Sequence, residues 1–365
     1  MRRHGKRSKK GKRVVIVGLG NIGSEATPLI GRMPEVGSID LIDWQDYDAG
    51  NVLTQNVLPS EVGKPKAIVQ ARKLKRIRTD LEVRAFCERV QDIPIGLFRA
   101  DVVVACLDNL AGRQFLGQAC FRMGTTWVDS GVDSANSLAR VNVYAVSGDA
   151  SCIECAWDAE YDSLEQTYPC GAGNGPAPTN AAAYLGSAAA AMQAAECAKL
   201  LSGNMDMLAV GKQITLDLAY HNLLVTTFSR NRSCRFDHVS WDVVDLECDL
   251  LSAPLGAVFD EMRTRSGSDE GISLSLEGHP FIKALMCSKC GHRRETLRLE
   301  GRMGDQDTTC ACGEGLVAPG FDKLSSLAES YIPREAMTVT MKDVGFRAGD
   351  VLTVLRGSAQ WHFQL

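Results

Sequence analysis

Short apolar runs alternate with helical patterns between residues 13 and 145. Four of these runs have the length and composition of buried strands: Val14–Val17, Ile39–Ile42, Val102–Ala105 and Trp127–Ser130. Helical patterns follow after Gly20, after Lys64 and after Asn109. Strands that alternate with helices predict an α/β fold with a doubly wound, mostly parallel, Rossmann-like sheet.

The pattern changes after residue 146. An irregular stretch at 147–178 is rich in Cys, Gly and Pro, and a long helical pattern over Asn180–Leu201 ends at Gly203. Two strand-like runs, Gln213–Leu218 and Leu223–Phe228, close this part of the chain near residue 240. We therefore predict a basic tail (1–12), an α/β domain (13–240) and a C-terminal region (241–365).

The C-terminal region has a different character. Residues 263–278 are polar and rich in Gly and Ser, which predicts a linker or mobile loop. Four cysteines lie within 285–315, and residues 337–365 alternate as a strand does. This pattern predicts a small module around the cysteines, followed by a terminal β segment.

Composition and charge exclude several classes of protein. With 365 residues, 45% apolar and 23% charged, the chain has the make-up of an ordinary globular protein of about two domains. Its net charge of -4 gives no reason to expect nucleic-acid or membrane binding. The thirteen cysteines lie in an enzyme-sized chain, which favours reduced thiols, metal sites or catalysis in the cytoplasm.

No secretory or membrane-spanning segment is expected. Residues 1–13 carry eight Lys or Arg, but the apolar run behind them is only six residues long. The basic tail is either a disordered, solvated segment or an arm that binds phosphate, RNA or a partner. We therefore expect a soluble, cytoplasmic protein.

Three glycines follow the first predicted strand at the start of a helix. Gly18, Gly20 and Gly23 let the backbone approach a phosphate, and the helix N-terminus offers unpaired N–H groups. Asp43 ends the next strand, from where a carboxylate can accept both ribose hydroxyls. These residues predict a nucleotide or dinucleotide site. A dehydrogenase would show the same residues, and close helix–strand packing is the structural alternative.

Polar residues further along distinguish ATP from NAD. Asp108 follows a strand and is well placed to hold Mg²⁺ on a triphosphate, unless it caps the next helix. Lys66 lies just inside a helix and can neutralise phosphate oxygens, unless it is a surface lysine. A hydride-transfer enzyme requires neither group, so the pattern favours ATP with Mg²⁺.

At this point the sequence resembles the ThiF/MoeB superfamily, the adenylation module of ubiquitin-activating enzymes. The resemblance covers about residues 13–240 and rests on VGLGNIGSE, LIDWQD, the segment from Asn51 to Gln55, GKPK, CLDN and a Cys-x-x-Cys pair. It implies a homodimer that adenylates the C-terminal glycine of a ubiquitin-like or sulfur-carrier protein and releases pyrophosphate. A downstream conjugating protein would be a further partner.

The resemblance also assigns individual positions. It implies that Gly18, Gly20 and Gly23 bind the phosphates and that Asp43 binds the ribose. Asn51, Gln55 and Lys66 fall on further ATP-contacting positions, and Asp108 falls on the position that binds Mg²⁺. Two family arginines are missing, because Thr54 stands at one position and only the basic tail at the other. Arg13, another tail residue or a partner would have to supply that charge.

Cysteine pairs point to structural zinc. Cys152 and Cys155 have the two-residue gap that lets both sulfurs reach one ion, and Cys234 and His238 are the candidate second half. The family has a second Cys-x-x-Cys there, so His238 as the fourth ligand is an inference. Unconnected buried thiols are the alternative.

The C-terminal region offers a second zinc candidate. The pair Cys287 and Cys290 is separated by 19 residues from the pair Cys310 and Cys312, and a glycine follows each pair, as in the knuckles of a zinc ribbon. His292 could replace one of the sulfurs. A redox-active cysteine pair is the alternative.

Cys170 is the candidate nucleophile. It lies in a loop rich in glycine and proline, before a long helix whose N-terminus would lower the pKa of the thiol. In the family, a cysteine at this position forms an acyl, thioester or disulfide link. An inert loop thiol or an alternative zinc ligand is the other interpretation.

The leading hypothesis is an in-line attack of a protein C-terminal carboxylate on the α-phosphate of ATP. Positioning and charge neutralisation fall to the glycine loop, Lys66 and Asp108, and Cys170 then takes the acyl group as a thioester. The alternatives are adenylation of another acyl, peptide or tRNA substrate, an NAD-dependent oxidoreductase, and a scaffold with weakened catalysis.

Overall fold

An eight-stranded sheet forms the centre of the first of two units into which the chain divides. The computed structural model describes residues 11–147, 149–157, 181–246, 248–267, 271–332 and 334–365. The first unit comprises the described residues up to Ile93 together with Phe98–Ser240, and the second comprises Pro94–Leu97 and Trp241–Leu365. Within the described ranges, no helix combines the length and the apolar character needed to cross a membrane.

The large sheet consists of β1 (Lys12–Val17), β2 (Val36–Ile42), β3 (Glu82–Phe86), β4 (Val102–Ala105), β5 (Trp127–Asp133), β6 (Leu138–Tyr144), β7 (Lys212–Asp217) and β8 (Asn222–Thr227). Its order is β3-β2-β1-β4-β5-β6-β7-β8. The first five strands run parallel, and the last three pair antiparallel with their neighbours. The direction of winding reverses between β1 and β4, and open α/β sheets bind their ligands at the carboxyl ends of such a strand pair.

Four helices in the described part of this unit accompany the sheet: α1 (Gly23–Gly31), α2 (Lys66–Ile77), α3 (Leu110–Arg122) and α4 (Ala183–Ser202). Helix α4 packs against α1, β5 and β6. Its buried face carries Gly186, Ala189 and Ala190, which allow close approach. Gly203 ends the helix in the left-handed region, with φ of 81°.

The predicted fold class is confirmed. Val14–Val17 and Val102–Ala105 are 0–1% exposed, because helices cover both faces of a parallel sheet. The four predicted strand runs all lie within observed strands. Strand β3 was missed because Glu82 and Arg84 interrupt its apolar pattern at the edge of the sheet.

The described part of the second unit has two smaller sheets. Their strands are β9 (Val243–Asp245), β10 (Ser273–Leu276), β11 (Phe281–Cys287), β12 (Arg293–Leu299), β13 (Leu316–Val317), β14 (Lys323–Leu324), β15 (Leu327–Ala328), β16 (Val351–Arg356) and β17 (Ala359–Gln364). One sheet has the order β15-β10-β16-β17-β9, and the other has the order β12-β11-β13 with β14 beside β11. The helices are α5 (Leu255–Ser266), α6 (Asp305–Thr308) and α7 (Met341–Val344).

Two predictions for this unit were wrong in part. The expected linker at 263–278 instead contains the end of α5 and the whole of β10, because Val258, Phe259 and Met262 form a buried stripe that holds the helix in the core. The strand-like pattern from Met337 onward corresponds to strands only from Val351. Before that, the chain forms a 3₁₀ helix and α7.

Candidate active site

The glycine loop connects β1 to α1 at the carboxyl end of the sheet. Gly18 has φ of +85°, and a Cβ there would lie 2.5 Å from the carbonyl oxygen of Cys106. A Cβ at Gly23 would lie 1.9 Å from the carbonyl oxygen of Gly18, so internal packing alone requires both glycines. At Gly20 the nearest atoms to a Cβ are the amide atoms of Gln55, at 3.9 Å. The fold itself therefore leaves room at Gly20, where a bound phosphate would come closest.

Asp43 follows β2 and lies beside this loop. Its side chain is 8% exposed, and its two oxygens accept the N–H groups of Leu19 at 2.7 Å and Gln45 at 2.8 Å. Burial raises the pKa of the carboxyl group, while the nearby Lys66 ammonium and these two N–H groups oppose the rise. The carboxylate is thus held rigidly at the end of β2.

Lys66 begins α2 and is only 5% exposed, which excludes the surface-lysine alternative. Its Nζ donates a hydrogen bond to Oε1 of Gln45 at 2.8 Å and lies 5.6 Å from the ring centroid of Tyr47. The Tyr47 hydroxyl donates in turn to the carbonyl oxygen of Leu19 at 2.9 Å. Gln45 and Tyr47 were not among the predicted site residues, because residue spacing alone does not show which side chains turn inward after a strand.

Asp108 follows β4, the neighbour of β1. The cap of α3 is supplied by Asn109, whose Oδ1 accepts the N–H of Gly112 at 2.7 Å. The helix-cap alternative therefore applies to Asn109 and leaves the Asp108 carboxylate exposed. After burial, the Asp108 charge makes a smaller contribution that also raises the pKa of Asp43. Strands β2 and β4 flank β1, so both carboxylates follow strands that border the glycine loop.

A buried ion-pair network supports the loop that carries Asp108. The Arg113 guanidinium donates to the carbonyl oxygen of Leu107 at 2.5 Å and pairs with Asp129 at 3.3 Å. Asp129 is fully buried and also pairs with Arg140 at 2.8 Å. Because Leu107 directly precedes Asp108, this network fixes the path of the backbone into the site.

Two predicted ATP-contacting residues lie after Asp43. The Oδ1 of Asn51 accepts the N–H of Asp48 at 3.0 Å, so this oxygen completes a local turn and the amide nitrogen is left for other contacts. Gln55 lies against Gly20, and its Oε1 is buried with no hydrogen-bond partner among the residues that the structure describes. A buried, unsatisfied amide of this kind is expected where a ligand completes the hydrogen bonding.

Arg13 does not supply the missing charge to the site of its own chain. Its guanidinium bonds to Asp40 at 3.0 Å and to the carbonyl oxygen of Arg99 at 3.0 Å. Arg13 lies near the amino end of β1, whereas the glycine loop lies at the carboxyl end. Thr54, at the position of one of the missing arginines, contacts the glycine loop through its backbone: its carbonyl oxygen accepts a hydrogen bond from the Asn21 side-chain amide at 2.6 Å.

The structure brings the first four predicted metal ligands together. Cys152 Sγ lies 3.8 Å from Cys155 Sγ and 3.7 Å from Cys234 Sγ, and Cys155 Sγ lies 3.4 Å from Nε2 of His238. A tetrahedral zinc ion with ordinary bond lengths requires S···S edges of about 3.8 Å and an S···N edge of about 3.5 Å. Burial, followed by the Arg230 charge, lowers the pKa of His238 and favours the neutral imidazole that a metal ion needs.

The second predicted cluster assembles inside the second unit. Cys287 Sγ lies 3.6 Å from Cys312 Sγ, and Cys290 Sγ lies 3.6 Å from Cys310 Sγ. Within each of the two groups, the four ligand atoms lie within 4.8 Å of one another. His292 is not part of this group; its backbone oxygen accepts the N–H of Cys287. Either cluster could therefore hold a metal ion.

Cys170, the predicted nucleophile, lies outside the described residues.

Comparisons with known proteins agree with this arrangement. Ubiquitin-like modifier-activating enzyme 5 of Dictyostelium discoideum is 28% identical over 156 residues, which are 39% of this chain and 40% of that enzyme. The sulfur carrier protein ThiS adenylyltransferase of Escherichia coli (strain K12) is 28% identical over 193 residues, 52% of this chain and 72% of that protein. The chain thus spans about two fifths of the modifier-activating enzyme.

Solved structures show the same fold. The crystal structure of E. coli MccB with ATP matches with a TM-score of 0.51 at 22% identity, covering 61% of this chain and 65% of that chain. The ThiF family model matches residues 3–236, which include the glycine loop, Asp43, Lys66 and Asp108. The protein is therefore a member of the ThiF family.

Proposed function

We propose that this protein is an ATP-dependent adenylyltransferase that activates the C-terminal glycine of a ubiquitin-like or sulfur-carrier protein. The observation that carries the proposal is that three features occur at the β1–β4 switch point: the open backbone at Gly20, the buried side chains of Asp43 and Lys66, and the exposed Asp108 carboxylate. The names of the ThiS adenylyltransferase and of the modifier-activating enzyme support the same chemistry.

Different residues of the site bind different parts of ATP. The glycine loop receives the phosphates, Asp43 accepts the ribose hydroxyls, and Lys66 neutralises phosphate charge from its buried position. Gln55 and the amide nitrogen of Asn51 supply further contacts. Asp108 would hold Mg²⁺, which supplies positive charge on the phosphates when bound.

The reaction needs no general base. A C-terminal carboxylate is ionised at pH 7, and one of its oxygens attacks the α-phosphorus in line with the bond to the bridging oxygen. That bond breaks, pyrophosphate leaves, and an acyl adenylate forms. The protein contributes position and fixed charge, so its rigid elements matter most: the Asp43 hydrogen bonds and the Arg113 support behind Asp108.

We extend the proposal to both cysteine clusters, which we expect to bind one structural zinc ion each. The cluster of the first unit offers three cysteines and one histidine, and the cluster of the second unit offers four cysteines. Both sets of donors are typical of structural zinc sites. We further propose that the Cys170 thiol gives up its proton and attacks the carbonyl carbon of the acyl adenylate, so that the bond to AMP breaks, AMP leaves and a thioester forms. We also propose that the protein acts in the cytoplasm as a homodimer.

Calorimetric titration with Mg·ATP and with NAD tests the nucleotide assignment. We expect the wild-type protein to bind Mg·ATP, the Asp108→Ala variant to bind it more weakly, and NAD to bind to neither. NAD binding without ATP binding would overturn the proposal in favour of an oxidoreductase.

A further inference from the structure

A large aromatic side chain projects into solvent directly beside the nucleotide site. Trp44 follows Asp43, and its side chain is 55% exposed, whereas both neighbouring site residues Asp43 and Lys66 are buried. The guanidinium of Arg89 lies over the indole ring, 4.7 Å from its centroid. The indole is therefore held in place on one face by a cation–π contact.

The strand order fixes where this pair lies relative to a bound nucleotide. Strands β1, β2 and β3 are neighbours, with β2 in the middle. The glycine loop follows β1, and Asp43 follows β2 and donates its N–H to the carbonyl oxygen of Phe86, the last residue of β3, at 3.1 Å. Arg89 lies three residues beyond that end of β3.

A nucleotide is a linear arrangement of phosphates, ribose and base. With the phosphates at the end of β1 and the ribose at the end of β2, the base continues toward the end of β3. Trp44 follows the end of β2 and contacts Arg89, which follows the end of β3, so the pair lies on this side of the site. None of the phosphate- or ribose-binding residues described above offers a flat apolar surface for a base.

We propose that Trp44 is a base-binding residue that stacks on the purine base of the bound nucleotide, while Arg89 holds the indole from its opposite face. The inference rests on the proposed function, because it requires ATP at this site. An indole offers a wide π-face to a purine, and an indole already fixed by Arg89 loses little rotational freedom when the base binds. Stacking contacts the base alone and needs no hydrogen bond to it. Loss of the indole therefore weakens the contact with the base without changing the contacts with the phosphates.

The test compares a ligand that carries the base with one that lacks it. Affinities for Mg·ATP and for Mg·tripolyphosphate are measured by calorimetry on the wild type, Trp44→Ala and Trp44→Phe. We expect Trp44→Ala to weaken Mg·ATP binding about tenfold or more and to leave tripolyphosphate binding within about twofold. Trp44→Phe retains a smaller aromatic face and should lose less.

Trp361 provides a matched control, because its ring lies 5.3 Å from the guanidinium of Arg356 in the second unit. Trp361→Ala should bind Mg·ATP as the wild type does. Among the five tryptophans of the chain, replacement of Trp44 by Phe should remove most of the fluorescence change that ATP causes, whereas Trp361→Phe should keep it. Melting temperatures verify that each variant is folded.

The outcomes separate this inference from the proposed function. Unchanged ATP affinity in Trp44→Ala, or an equal loss for both ligands, overturns the stacking role. A wild-type protein that binds neither ligand overturns both the inference and the proposed function. Selective loss of ATP binding in a protein that forms no acyl adenylate supports the stacking role and refutes only the proposed function.

Discussion

Replacement of Cys155 by Ser tests the metal site of the first unit. Cys152 and Cys234 are 82 residues apart in the chain, and their sulfurs lie 3.7 Å apart. In the chain-entropy model, a cross-link that closes a loop of this length favours the folded state by roughly 4.5 kcal/mol. For a unit of this size, the loss of that free energy corresponds to a fall in melting temperature of roughly 9–18 °C.

The assay combines zinc content with calorimetric unfolding. We expect about two zinc ions per chain in the wild type and one in Cys155→Ser, with a lower melting temperature for the first unit. Cys290→Ser should also lose one zinc ion but leave the first-unit transition in place. Cys87→Ser is the matched control, because Cys87 belongs to neither cluster and should keep both ions. Two zinc ions in Cys155→Ser, or a lost ion with an unchanged transition, would refute the cross-link argument.

Three further predictions concern the nucleotide site. Gly20→Ala should fold with a near-normal melting temperature but bind Mg·ATP at least about tenfold more weakly. Gly23→Ala should be strongly destabilised, since its Cβ would lie 1.9 Å from the Gly18 carbonyl oxygen. Equal melting temperatures for the two variants would contradict this difference in packing. Lys66→Met should weaken Mg·ATP binding roughly 10- to 150-fold, the equivalent of one charged hydrogen bond, and unchanged calorimetric affinity would count against the assigned role. Because the pKa of Asp43 is raised above its ordinary 3.8, the Asp43 carboxyl group stabilises the fold below that pH, and this contribution is lost as pH rises through the folded pKa. Asp43→Asn should remove this pH dependence. Parallel curves of unfolding free energy against pH for the wild type and the variant would contradict the Asp43 contribution.

The central strands and the nucleotide loop were readable from the sequence because local pattern determines them. Strands β1 and β4 are continuous apolar runs, as strands buried on both faces must be. The glycines occur in a fixed order between a strand and a helix. The sequence could not show that packing requires Gly18 and Gly23 but not Gly20. That difference depends on the carbonyl oxygens of Cys106 and Gly18, which lie too close to a Cβ at Gly18 and at Gly23 respectively, whereas no atom comes that close at Gly20.

Features that depend on distant contacts were not predictable in the same way. The polar stretch at 263–278 resembled a linker, yet Val258, Phe259 and Met262 anchor its first part in the core of the second unit. Arg13 was one of three possible sources of the missing phosphate-binding charge, and the sequence did not show that its side chain bonds to Asp40 instead. Long-range partners of this kind appear only when the strands are assembled.

Carrier-dependent exchange of labelled pyrophosphate into ATP tests the central claim most directly. The wild type and Asp108→Ala are each incubated with Mg·ATP, labelled pyrophosphate and a panel of acyl substrates: a ubiquitin-like protein, a sulfur-carrier protein and a short peptide, each with a free C-terminal carboxylate. We predict exchange with a glycine-ended carrier in the wild type and a loss of at least about a hundredfold in Asp108→Ala. Absence of exchange with every carrier in a wild type that binds Mg·ATP, or equal exchange in the variant, would contradict the account.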